Sequence, residues 1–196
     1  MSNDRLAELQ ALIAADHWRM RVLGLVRDLC LRDCWVAAGF VRNCVWDHAH
    51  RDPASPLPQD IDVIWYDPGQ HSPERDAALE LTLRQQDDAL IWSVKNQARM
   101  HRRNADAPYL SATDAMRYWP ETATAVGVRL GHGGGIEVAA PFGLADLFDL
   151  IVRPTERFRT DKYPVYTERV RSKNWKRMWP KLQIELPATH PLAPMP

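Results

Sequence analysis

Apolar residues recur at helical spacing through residues 4–31, with Leu6, Leu9, Leu12 and Ile13 on one stripe and Leu23, Val26, Leu29 and Cys30 on a second. The two stripes predict one helix broken near Asp16–His17. The run Trp35 to Ala38 then stops at Gly39, and Val41, Val45 and Trp46 resume a helical period. That order reads as strand, tight glycine turn, helix. Residues 60–65 alternate instead. Ile61, Val63 and Trp65 fall on one face of a strand, and Asp60 and Asp62 project from the other. The 20 residues from 40 to 59 form a long connection, and its excess reads as a loop holding His48, His50, Pro53, Pro56 and Pro58.

Beyond a turn at 67–73, the spacing predicts a moderately amphipathic helix from Pro73 to Gln86 and a strand from Ala89 to Gln97 beside the Asp60–Asp62 strand. Ser111-Ala112-Thr113-Asp114 opens a helix that Pro120 ends. Thr122 to Leu130 and Ile136 to Ala140 alternate as strands, and Gly131–Gly135 between them reads as a hairpin loop. This glycine loop joins two strands and opens no helix, so it is a turn before it is a phosphate cradle. Leu144–Val152 reads as an apolar helix in which Asp146 caps or pairs with Arg42, and Pro164–Lys181 reads as helical. The fold class is α/β (α+β): a small mixed sheet flanked by helices, with a helical C-terminal extension. The expected division is a main domain at 1–152, a basic extension packed on it at 153–186, and a disordered proline-bearing tail at 187–196.

Charge narrows the partners. Lys plus Arg and Asp plus Glu both number 25, which argues against indiscriminate binding to nucleic acid or membrane. Residues 153–181 nevertheless hold ten Lys/Arg against three acids, so an RNA-binding role for the basic C-terminal half stays open. Trp175 and Trp179, one helical turn apart, either stack on a base or dock this segment on the domain. Cys30, Cys34 and Cys44 lack zinc-type spacing and read as reduced structural thiols. With no signal peptide and no bilayer-length apolar run, the expectation is a cytoplasmic protein, monomeric or weakly oligomeric, with no membrane partner.

The candidate chemistry sits at the two ends of residues 36–67. Two carboxylates two residues apart on a strand repel unless a cation lies between them, which is how hard oxygen ligands are offered to Mg²⁺ or Mn²⁺. A glycine turn opening a helix supplies backbone N–H groups to a phosphate. A basic stretch, Lys95-Asn96-Gln97-Ala98-Arg99-Met100-His101, follows the predicted edge strand, and Lys95 and Arg99 are its candidates for meeting a triphosphate.

Gly39-Phe40-Val41-Arg42-Asn43 followed by Asp60-Ile61-Asp62-Val63 resembles the nucleotidyltransferase signature of the polymerase-β-like superfamily. The layout is similar to the head domain of CCA-adding enzymes and poly(A) polymerases. Trp92–His101 and Gly143–Phe148 are similar to stretches of a bacterial branch of that superfamily. The resemblance runs from about residue 20 to about residue 185. It implies metal-dependent transfer of a nucleoside monophosphate from an NTP to a hydroxyl acceptor, RNA among the candidates, with release of pyrophosphate. It assigns catalysis and metal binding to Asp60 and Asp62, and nucleotide binding to Gly39, Phe40, Arg42, Asn43, Lys95, Asn96 and Arg99. Two features set the chain apart. Phe40 stands where many relatives have a second Gly or Ser, and Ser93 stands where a third metal carboxylate is expected, so either two carboxylates suffice, another acid such as Glu137 takes the role, or catalysis is weak. The alternative reading is a catalytically weak nucleotide-binding or regulatory module.

Overall fold

The computed structural model describes residues 3–51, 58 and 60–186. The predicted disordered tail and most of the predicted proline loop lie outside those residues. A five-stranded mixed sheet runs in the order β3-β2-β1-β4-β5, formed by β1 (Trp35–Ala37), β2 (Asp60–Trp65), β3 (Ile91–Asn96), β4 (Gly127–Leu130) and β5 (Ile136–Ala139). Within this sheet the β2–β3 pair is parallel and the other pairs are antiparallel. The α4 helix (Pro73–Gln86) makes their crossover, as a parallel pair requires.

Register explains which face is buried. Val94, Val63, Val36, Val128 and Val138 lie in one row across all five strands. This β-branched row meets the main core beneath α1 (Asn3–Ala15), α2 (His17–Arg27), α3 (Gly39–His50) and α4. The adjacent row, on the opposite face, is Ser93, Asp62, Ala37, Gly127 and Ala139. Farther along that face Trp35 and Ile64 pack under Ala112 and Met116 of α6 (Ala112–Met116). The row of small residues therefore borders a covered half of the sheet, and Asp62 sits at the limit of the cover.

The helix break falls where the pattern put it, because Asp16 accepts the Arg19 backbone N–H (2.9 Å) and caps α2. Ser111 does the same for α6 through the Asp114 N–H (2.9 Å). Three expectations change. Residues 121–126 fold into turns, with the Ala125 N–H on the Glu121 carbonyl, so β4 starts only at Gly127. The helix expected over 144–152 shortens to α7 (Ala145–Phe148), because Leu150 takes φ 59° and the chain leaves as a strand. His48 and His50 lie on α3, not in a loop.

After β6 (Ile151–Val152) come α8 (Glu156–Arg159), α9 (Tyr163–Lys173) and α10 (Trp175–Met178), and β7 (Gln183–Ile184) returns to pair in parallel with β6. The Trp46 ring lies 5.9 and 5.1 Å from those of Trp175 and Trp179, and the Trp179 indole donates to Asp47 (2.8 Å). These tryptophans thus dock the segment on α3. The three cysteines are free thiols, and no described helix is long and apolar enough to cross a membrane.

Candidate active site

The strand-to-helix turn is built by one strained residue. Ala38 adopts φ 57°, ψ −122° between β1 and α3, a region that favours glycine. Gly39 then begins the helix. Because Ala37 pairs with Asp62 in an antiparallel ladder, stepping two residues outward on each strand brings Gly39 and Asp60 to the same end of the sheet. The sequence puts the oddity at Phe40, but its ring is fully buried, 5.7 Å from that of Trp18. The position that asks for glycine is Ala38, and Phe40 can offer only its backbone to a ligand.

Asp60 is exposed and Asp62 is half-buried. Burial, and then the neighbouring Asp60 carboxylate, push the Asp62 carboxyl up to about 6; Arg169, Arg42 and Lys173 pull against that rise. Among the described residues no ion pair reaches either carboxylate. Such a pair suits a hard divalent cation by its donor chemistry. The expected third-carboxylate position is Ser93, the in-register partner of Asp62. Glu137 cannot serve, because it pairs with Arg129 on β4, and its strand lies three strands from β2, roughly 14 Å away. Among the described residues, no cluster of three or more His, Cys, Asp or Glu could hold a metal ion.

Arg42 lies behind the pair, buried. Its Nη1 donates to Thr124 Oγ1 (3.1 Å) and its Nη2 to Asn43 Oδ1 (3.0 Å). The guanidinium carbon sits 5.0 and 4.9 Å from the centres of the Trp46 and Trp175 rings. Burial lowers its pKa to about 10 against the pull of Glu121, with Arg169 lowering it further and Asp62 and Asp60 opposing. Glu121 is fully buried and accepts from Arg169 Nε (2.7 Å). Arg42 is thus held by the fold beside the carboxylates, without a direct bond to them. Glu121, Thr124, Arg169 and Lys173 carried no sequence motif; only the excess of cations over 153–181 hinted that acids elsewhere in the chain must face them.

Gly39, Arg42, Asn43 and Asp60 form one wall of a cleft of about 690 Å³, and Lys173, Trp175 and Arg177 belong to the other. The basic stretch after β3 is elsewhere. Asp60 pairs with Ile91 in a parallel ladder, so Lys95 and Asn96 lie roughly 13–17 Å farther along the strand. Lys95 pairs with Glu80 (2.5 Å), Asn96 is fully buried and caps α5 (Gln97–Asn104), and Arg99 pairs with buried Asp76. Asp76 also accepts the Trp65 indole N–H (2.8 Å). These residues fasten β3 to α4 and the 67–70 turn; they do not reach the cleft. Asp146, likewise, pairs with Arg153 (2.9 Å), not with Arg42. His50 bridges the Trp46 carbonyl and the Lys181 N–H.

A family profile for nucleotidyltransferases matches residues 24–184. The chain belongs to the nucleotidyltransferase family. A solved NMR structure described as a CCA-adding enzyme head domain is 37% identical to this nucleotidyltransferase and superposes with a TM-score of 0.80, covering 91% of this chain and 95% of that one. A CCA-adding enzyme in complex with CTP aligns at 15% identity and TM-score 0.58, over 91% of this chain and 43% of that one. The Thermotoga maritima CCA-adding enzyme, complexed with tRNA, aligns at 15% identity and TM-score 0.57, over 91% and 42%. The last two share the fold, and this nucleotidyltransferase spans less than half their length. No curated protein matches the sequence. The polymerase-β-like head-domain architecture expected from the sequence is the one observed.

Proposed function

We propose that this nucleotidyltransferase moves a nucleoside monophosphate from an NTP to a hydroxyl acceptor in the cleft between α3 and the α9–α10 segment. The observation that carries the reading is the pair Asp60 and Asp62 on one face of β2, with Asp60 lining the cleft and neither carboxylate in an ion pair among the described residues. Asp60 and Asp62 would hold Mg²⁺ or Mn²⁺, which when bound neutralises phosphate charge and polarises the acceptor oxygen. The first-turn amides of α3, at Gly39 and Phe40, face phosphate oxygens with the positive end of the helix dipole behind them. Asn43 is held by Arg42 at the cleft wall. The acceptor oxygen bonds to the α-phosphorus as the bond to pyrophosphate breaks.

Calorimetry with each of the four NTPs, with and without Mg²⁺ or Mn²⁺, tests the reading. Binding that needs the metal and is lost in Asp60→Asn and Asp62→Asn, both still folded, is the expected result. Absence of nucleotide binding by the wild-type protein under every metal condition would overturn it.

A further inference from the structure

The ten cations of residues 153–181 divide into two groups. Arg153, Arg157, Arg159, Lys162, Arg169 and Arg171 each pair with an acid, and the Lys181 ammonium bonds the Ala49 carbonyl (2.8 Å). Among the described residues no ion pair or side-chain hydrogen bond reaches Lys173, Lys176 or Arg177. Two of these three, Lys173 and Arg177, line the cleft opposite Asp60; Lys176 does not. They are set by a local device. Asn174 turns the chain with φ 45°, a left-handed conformation that Asn tolerates, and Trp175 and Trp179 pin the segment to Trp46.

Charge in the cleft shows why two more cations matter. Glu121 and Arg169 offset each other, leaving the two carboxylates against the single guanidinium of Arg42. A cleft of that sign repels a polyanion, and Lys173 with Arg177 reverses it. The volume, about 690 Å³, lies within the roughly 300–1,000 Å³ of small-ligand sites. We infer that Lys173 and Arg177 bind the triphosphate of the incoming nucleotide, so that the C-terminal segment supplies the phosphate-binding cations sought at Lys95 and Arg99. The inference rests on the proposed NTP-dependent activity. Arg177 can present a planar fork to two phosphate oxygens, and Lys173 a compact charge across the cleft from Asp60.

Calorimetry on the full chain in Mg²⁺ tests it, with the four NTPs, the matching monophosphates, inorganic tripolyphosphate and a short single-stranded RNA as probes. In the Lys173→Ala/Arg177→Ala double variant, affinity for an NTP and for tripolyphosphate falls by about tenfold or more, while monophosphate affinity changes little. Lys176→Ala, equally unpaired but off the cleft, leaves both unchanged. If the double variant binds NTPs like the wild type while Asp60→Asn abolishes metal-dependent binding, the inference fails and the proposed function stands. Loss confined to RNA also overturns it, by giving the two cations to the acceptor. No NTP binding by the wild type ends both.

Discussion

At Asp62 the folded protein holds a proton more tightly than an unfolded chain does, and the consequence for stability has a definite sign. The carboxyl rises from an ordinary 3.8 to about 6, through burial first and Asp60 second. Between those values the folded state binds more protons than the unfolded one, so stability falls as pH rises from about 4 to about 6 and then levels off. The loss is on the order of 3 kcal/mol. Urea unfolding of wild type and Asp62→Asn across pH 4–8 checks it: the variant gains relative to wild type with rising pH, and the two converge near pH 4. Arg42 gives the opposite case, a charge the fold requires. Arg42→Ala is expected to cost about 2–4 kcal/mol. Arg42→Lys is expected to cost about 1–2 kcal/mol, because one ammonium cannot serve Thr124 and Asn43 while also reaching the Trp46 and Trp175 rings. Thermal melts of both variants decide this. The alternation of β2 made the carboxylate pair legible, since side-chain direction on a strand is a matter of parity. The partners of Arg42 were not legible, because contacts 82 residues apart, as with Thr124, leave no local pattern.

Among the elements, the turn from β1 into α3 carries strain that can be relieved. Ala38→Gly is expected to raise stability by about 1 kcal/mol, the release from φ 57° outweighing glycine's larger unfolded-state entropy. A midpoint shift in denaturant titration measures it. Trp179→Phe keeps much of the ring packing but removes the donor to Asp47, and is expected to cost about 1 kcal/mol by the same measurement. Elements with a clear start signal, such as α2 with its cap Asp16 and α4 with Pro73 as its first residue, were readable. Thr122–Val126 misled because β-branched residues there serve a turn that buries Glu121 and offers Thr124 to Arg42. The Lys95–Arg99 stretch misled differently: its cations look available until the register shows them fastened to Glu80 and Asp76.

For the molecule as a whole, neutrality hides a division of labour among charges that only the fold reveals, since most cations of 153–181 answer acids near at hand. The sheet order was only partly readable: alternation marks strands, but the pairing of β1 with β4 joins segments separated by α3, β2, α4, β3, α5 and α6. The pairing of β7 with β6, supported by the Tyr166 hydroxyl bonding the carbonyls of Val152 and Glu185, has a consequence in time. During synthesis the carboxylates of β2 emerge more than a hundred residues before the strand that closes the α8–α10 excursion. A nascent chain stopped short of Gln183 carries both aspartates and the α3 turn yet lacks the clasp that keeps the facing wall in place, so the order of translation completes the wall opposite Asp60 only after the carboxylates and the turn.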